Sequence, residues 1–453
     1  MSKDSSTFLW GAATSSYQIE GHGADGRGPC VWDMLCRKPG AVREMANGSI
    51  ACDHYNLYRS DVELMRQIGL QAYRFSVSWS RIQPDGKGAI NEKGLAFYDN
   101  LIDALLEAGI APVVTLFHWD YPLALYRQGG WLNRDSVNWF ADYATLLAKR
   151  YGDRVKWWVT QNEPQCFIGA GHHSGVHAPG DKLQLHEVLM ATHHTLLAHG
   201  ASVQALRANC PGPVQIGYSH AWATSVPNTE SAADIEAARE SFFRVDPNSV
   251  WSLSLWADPM YLGRYPQQAY DVFGADMPRH ADEDLKKIHQ PLDFLGCNIY
   301  SGTRISRGLK GEIVSHPKPP GAPTATLNGF ELEDDALYWS ARFQSERYGK
   351  LPFIVTENGF CGTDWVAVDG KVHDPQRIDY TTRYLRGLFR ARREGIPVGG
   401  YFYWSLMDNF EWAEGYRPRF GLIHVDYATQ RRTLKDSALW YREVIASGGE
   451  KIG

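Results

Sequence analysis

Eight apolar runs alternate with segments of helical period along this chain, and that alternation limits the fold more than any other feature. The runs are FLWGAAT (8–14), AYRFSVSW (72–79), APVVTLFHW (111–119), WWVTQNE (157–163), VQIGYSH (214–220), DFLGCNIY (293–300), FIVTEN (353–358) and GGYFYWS (399–405). Their lengths and their wealth of Val, Ile, Phe, Tyr and Trp predict buried strands. Between them lie helical patterns such as LAFYDNLIDALLEAG (95–109) and VNWFADYATLLAKRYG (137–152), each closed by a glycine that suits a helix stop. Such alternation builds a parallel sheet, either closed into a barrel or open and doubly wound. No GxGxxG follows the first run and no P-loop occurs, so the open nucleotide-binding form has no support. GHGADGRGPC (21–30) is glycine-rich but reads as a loop. The expected fold is α/β, a (β/α)8 TIM barrel with long βα loops, in which residues 1–453 form a single catalytic domain. A Pro- and Gly-rich insertion, 306–329, falls between strands six and seven and is expected at the rim.

Barrels of this kind place their active sites at the C-terminal ends of the strands. In order, those ends carry Arg74, His118 with Trp119, Asn162 with Glu163, Tyr218 with His220, Asn298 with Tyr300, Glu357 with Asn358, and Trp404. Two apolar runs thus finish in a carboxylate, on the expected fourth and seventh strands. Two facing carboxyls suit cleavage of a glycosidic bond. One protonates the leaving oxygen, while the other attacks the anomeric carbon or activates water. A gap of roughly 5–5.5 Å gives retention and roughly 6.5–9.5 Å gives inversion. The pair needs different pKa values at one pH, so the ionised member requires a cation or hydrogen-bond donors. Arg74 is the strand-end cation available for that task, and the Tyr300 hydroxyl is a second donor.

Composition narrows the partners. The charge is −5, from 46 basic and 51 acidic residues, which gives no electrostatic reason to expect nucleic acid or an anionic membrane. Aromatic residues make up 13% of the chain, including 16 Trp, and some of them are expected to stack on flat sugar faces. The start, MSKDSSTFLW, lacks a signal pattern, and no run of about 20 apolar residues occurs, so a cytoplasmic protein is expected. The seven cysteines are scattered without a CxxC, which favours reduced thiols over a disulfide framework. HEVLMATHHTLLAH (186–199) is rich in histidine but lacks HExxH spacing. Its Glu187 and His194 read as helix-face contacts rather than metal ligands.

The motifs together resemble the family 1 glycoside hydrolases, especially the β-glucosidases. The resemblance runs from FLWGAATSSYQIEG (8–21) to RFGLIHVDY (419–427). On the way it passes YRFSVSWSRI (73–82), HWDYP (118–122), GGWLN (129–133), QNEP (161–164), HAPG (177–180), GCNIYS (296–301), VTENGF (355–360) and YWSLMDNFEWAEGY (403–416). It implies a retaining, exo-acting β-D-glucosidase that works by double displacement, with Glu163 as acid/base and Glu357 as nucleophile. It also implies supporting roles for Arg74, Asn162, Asn298 and Tyr300, with Asn162 on the sugar 2-hydroxyl. A glucosyl pocket of Gln18, His118, Trp119, Trp404, Glu411, Trp412 and Phe420 is implied as well. No cofactor or metal is implied. The expected partners are small β-glucosides or short β-linked oligosaccharides. β-Galactosidase and β-fucosidase side activity and transglycosylation are compatible. Glu411 stands where relatives that act on 6-phosphosugars bind phosphate, and it would repel one. The presence of Glu163 separates the chain from thioglucosidases.

Two positions depart from the family pattern, both on the aglycone side. Gln165 follows NEP where Trp is common, and Phe330 replaces the Trp of a Trp-Glu pair in GFELEDDALYW (329–339). Weaker stacking at Gln165 predicts less preference for flat aromatic aglycones or stacked cello-oligosaccharides.

Overall fold

Eight parallel strands close on themselves in the computed structural model, which describes residues 8–325 and 329–452. They are β1 (Leu9–Ala13), β2 (Ala72–Ser76), β3 (Ala111–Phe117), β4 (Trp157–Asn162), β5 (Gln215–Ala221), β6 (Leu295–Asn298), β7 (Phe353–Asn358) and β8 (Val398–Trp404). Each pairs with the next in sequence, and β8 returns to β1. All eight lie within or beside the predicted runs, because a strand buried on both faces is apolar throughout.

The barrel interior holds Ala13, Ala72, Val113, Val159, Phe294, Ile354, Phe402 and Trp404. Large rings are admitted by glycine on the adjacent strand. A β-carbon on Gly217 would stand 2.2 Å from the Phe294 ring, and one on Gly11 would stand 2.5 Å from Phe402. A second, larger core lies between the strands and the surrounding helices. Helix Glu92–Glu107 ends just before Gly109, whose φ of +73° is the left-handed turn that stops it.

Register breaks fall where the carboxylates project. Pairing between β4 and β5 slips between Val159 and Asn162, and pairing between β6 and β7 slips between Val355 and Glu357. An extra residue in one strand turns the following side chains, which re-aims the ends of β4 and β7.

Three strand-end residues expected at the mouth lie elsewhere. The Tyr218 ring sits edge-on to His199 at 5.2 Å, and His220 lies 6.2 Å from Tyr261, so both point outward onto helices. Asn358 donates to Ile299 O at 2.7 Å and Tyr380 Oη at 2.8 Å, and it accepts from Tyr401 at 2.8 Å. Period-two alternation is the reason: on each strand only every other side chain faces the barrel axis.

The loops carry structure of their own. Thr224–Pro227, Gly302–Arg307 and Ile313–His316 form a three-stranded sheet, and Ile423–Asp426 pairs with Arg431–Leu434. The 306–329 insertion therefore begins as a hairpin, turned at Gly311 (φ +85°), rather than as an open loop. Its residues 326–328 lie outside the described residues. No described helix is long and apolar enough to cross a membrane.

Candidate active site

β4 ends at Asn162, and Glu163 follows in the left-handed region at φ +47°. Trp119 after β3 (φ +78°) and Trp412 (φ +50°) share that conformation. For a non-glycine residue it costs about 1–3 kcal/mol and persists only where surrounding contacts enforce it. At Glu163 the backbone N–H is fixed by Ser219 O at 2.8 Å. A π-helical segment, Gln165–His173, then carries Cys166 under the carboxylate, and Cys166 Sγ donates to Glu163 Oε2 at 3.3 Å.

Glu357, near the end of β7, has different company. Arg74 Nη1 donates to its Oε1 at 2.7 Å, and the Tyr300 hydroxyl donates to its Oε2 at 2.8 Å. Arg74 is itself fully buried, with Nε on Thr115 Oγ1 at 3.1 Å and Nη2 on Asn162 Oδ1 at 2.6 Å. Asn298 Nδ2 donates to Asn162 Oδ1 at 3.0 Å and to Glu163 Oε1 at 2.8 Å. Thr356 fixes that amide by donating to Asn298 Oδ1 at 2.6 Å. With its Oδ1 occupied, Asn162 presents Nδ2 to His118 Nε2 at 3.1 Å.

The electrostatics separate the two carboxyls. Burial, and then the nearby Glu357 charge, push Glu163 up to about 8. Burial also raises Glu357, but there the Arg74 cation and the Tyr300 hydrogen bond oppose it. The unequal partners therefore favour a protonated Glu163 beside an ionised Glu357. Burial and the Arg74 charge hold His118 well below the usual histidine range, so its ring is neutral.

These groups open into a cavity of about 670 Å³. Its floor holds Glu163, Glu357, Asn298, Tyr300, His118, Trp119, Trp404, Glu411, Trp412 and Phe420. His118 stacks on Trp404 at 5.7 Å, Trp119 lies 4.6 Å from Trp412, and Phe420 meets Tyr300 edge-on at 6.0 Å. Trp119 is pinned by its indole N–H on Asn162 O at 2.9 Å. Burial and the charges of Glu357 and Glu163 raise Glu411 to about 8.

Arg74, Asn162 and Gln18 stand just behind the floor and brace it. Gln18 Nε2 donates to Phe410 O at 2.8 Å, Asn409 Oδ1 at 3.0 Å and Glu411 Oε2 at 3.3 Å. The two aglycone-side residues separate: Phe330 lines the mouth, whereas Gln165 does not. Gln165 opens the π-helical segment fully buried, with its Oε1 accepting from Ala221 N at 3.4 Å, which turns the amide against β5. The mouth instead gains Trp222, Trp251, Val176 and His177, which sequence reasoning did not single out. The signal was weak for Val176, His177 and Trp251, which sit on loops, whereas Trp222 directly follows β5. Cys166, beside the catalytic segment in sequence, is also a wall of the cavity.

Among the described residues no cluster of His, Cys, Asp or Glu could hold a metal ion. His194 Nδ1 is paired with Trp131 O at 2.9 Å, and Glu187 caps its helix by accepting from Gln184 N at 3.0 Å.

Comparison with known proteins agrees with this geometry. The family model for glycosyl hydrolase family 1 matches residues 3–450. A 1,4-beta-D-glucan glucohydrolase of Thermotoga neapolitana is 42% identical over 455 residues, covering 99% of each chain. Beta-glucosidase A of Thermotoga maritima is 41% identical, covering 98% of this chain and 97% of its own. A solved family 1 β-glucosidase from Thermotoga maritima superposes with a TM-score of 0.88 at 41% identity, covering 98% of both chains. The Thermotoga maritima β-glucosidase in complex with glucoimidazole gives 0.89, covering 98% of this chain and 99% of that one. From the β4 and β7 carboxylates to the whole-chain match, the observations agree: the chain belongs to glycosyl hydrolase family 1.

Proposed function

We propose that the protein is a retaining β-D-glucosidase that removes single terminal β-glucosyl residues by double displacement. The observation that carries the reading is the unequal support of its two carboxyls. Glu357 has a cation and a phenol as partners. Glu163 has an amide and a thiol. Glu357 attacks the anomeric carbon while Glu163 protonates the departing oxygen. Once Glu357 is esterified its charge is gone, and with it one of the causes that raises Glu163. Glu163 then loses its proton more readily and serves as base for the incoming water.

The glucosyl unit fits the floor, with Trp404 beneath the ring, Glu411, braced by Gln18, toward the 4-hydroxyl, and His118, braced by Asn162, on another hydroxyl. A floor lined by the buried rings of Trp119, Trp404 and Trp412 supports exo action. Glu411 can reach either orientation of the 4-hydroxyl, which supports β-galactoside and β-fucoside side activity. An alcohol in place of water gives transglycosylation. Residues 1–453 act in this reading as one catalytic domain, and the scattered cysteines support a reducing, cytoplasmic setting.

Proton NMR of an aryl β-D-glucoside digest tests the reading. β-Glucose appearing ahead of mutarotation supports it. α-Glucose appearing first contradicts it.

A further inference from the structure

Tyr300, whose phenol donates to Glu357, lies two residues past the end of β6, where the barrel ladder no longer fixes the backbone. Its own carbonyl accepts two hydrogen bonds, from Tyr380 Oη at 3.0 Å and from Tyr384 Oη at 3.0 Å. Both tyrosines belong to the helix Pro375–Arg393 and stand four residues apart, so they share one face and reach one place. We infer that Tyr380 and Tyr384 are positioning residues for the nucleophile, acting through Tyr300. This inference rests on the glucosidase reading and deepens it.

Each hydroxyl donates once and accepts once, and the accepted bonds tie in further segments. Tyr380 Oη accepts from Asn358 Nδ2 at 2.8 Å, and Asn358 directly follows Glu357. The same amide donates to Ile299 O at 2.7 Å, while Ile299 N donates to Glu357 O at 3.0 Å. One phenol thus joins the ends of β6 and β7, between the residue that touches the nucleophile and the residue next to it in the chain. Tyr384 Oη accepts from Glu333 N at 3.1 Å, which anchors it on the segment leading into the helix Ala336–Tyr348.

The pair is stiff. Both rings are buried and stack with centroids 4.1 Å apart. Burial raises both hydroxyls above the usual phenol range, so each keeps the proton that it donates. A buried tyrosine needs some partner for its hydroxyl, and any nearby carbonyl would serve. Here two of them converge on the carbonyl of the residue that donates to Glu357.

The consequence lies in the charge state of Glu357. The Tyr300 hydrogen bond is one of the contacts that oppose burial and favour the carboxylate. A Phe at 380 or 384 keeps the ring packing but releases the Tyr300 carbonyl, and the phenol loses its alignment on Oε2. The change alters no charge, so Arg74, Glu163 and Glu411 act on Glu357 as before.

The test is the pH dependence of kcat/KM for an aryl β-D-glucoside. Each single change, Tyr380→Phe or Tyr384→Phe, should lower kcat/KM about tenfold, and the pair about a hundredfold. The acidic limb should move to higher pH in the pair, because Glu357 is ionised less readily. A role confined to packing would lower the melting temperature and leave that limb in place. The same pair is then made in Tyr300→Phe, which has no phenol to position. There it should move the acidic limb no further, since the effects share one route. An acidic limb unmoved by the pair in the parent would overturn the inference while leaving the glucosidase reading intact. So would a limb moved as far in Tyr300→Phe as in the parent. Should the pair fail to fold, Tyr384→Phe alone carries the same comparison, because Tyr380 then stays on Asn358. Absence of β-glucoside turnover by the parent would overturn both.

Discussion

Arg74 Nη2 donates to Asn162 Oδ1 at 2.6 Å while Nη1 of the same guanidinium holds Glu357 at 2.7 Å. Asn298 donates to that same Asn162 oxygen and to Glu163. The supports of both carboxyls therefore meet at one amide. A shift in any member moves the others, which is how a site keeps two carboxyls in fixed but unequal environments.

Replacing Arg74 with Met should raise the Glu357 pKa, since burial would act with its strongest opponent removed. The proposed mechanism needs Glu357 ionised to attack, so the acidic limb of the kcat/KM profile should move to higher pH. Breaking a buried pair also destabilises by about 3–5 kcal/mol. A pH profile and a melting curve check the two effects. Arg74→Lys should recover part of the activity, because it keeps the charge and loses the fork.

Cys166→Ala removes the thiol that donates to the ionised form of Glu163. In the proposed mechanism Glu163 works first as an acid, so activity should fall as pH rises through its pKa of about 8. Losing a donor to the charged form raises that pKa. The alkaline limb of kcat/KM should shift upward while the acidic limb stays nearly in place.

Glu163→Gln removes the proton donor. With an alkyl β-glucoside, whose leaving group needs protonation, kcat/KM should fall by about 10²–10⁴. With 2,4-dinitrophenyl β-glucoside, whose leaving group departs unaided, glycosylation should be spared and the glycosyl-enzyme should accumulate as a burst.

The same carboxyls limit stability in alkali. Glu163 and Glu411 have folded pKa values raised from 4.5 to about 8. A raised carboxyl contributes stability that is complete below its unfolded pKa and is lost as pH rises through the folded value. Glu411→Gln should therefore melt higher than the parent at pH 9, and the gap should shrink toward pH 5. Its kcat/KM should drop at both pH values, because the proposed glucosyl pocket uses Glu411 toward the 4-hydroxyl.

Much of this was legible in the sequence. The eight strands are apolar on both faces and stand out against amphipathic helices, and Glu163 and Glu357 mark two strand ends. Charge and donor count matched Arg74 and Tyr300 to an ionised carboxyl, and the family resemblance named Glu357 as that carboxyl. Tyr218, His220 and Asn358 were misplaced because a strand end does not reveal its inward face, and the register breaks beside Asn162 and Glu357 shift that phase. The burial of Gln165 follows from a π-helical turn that local residue types do not announce. Trp251 reaches the mouth only through loop geometry, which carries no periodic pattern.

The central claim is that Glu357 forms the covalent bond to the sugar. Incubation with 2,4-dinitrophenyl 2-deoxy-2-fluoro-β-D-glucoside, followed by peptide mapping by mass spectrometry, tests it most directly. The account predicts one fluoroglucosyl group per chain, on the peptide bearing Glu357 and on that side chain. A label on Glu163 or Glu411, or an enzyme that turns over natural glucosides yet is never labelled, would contradict it.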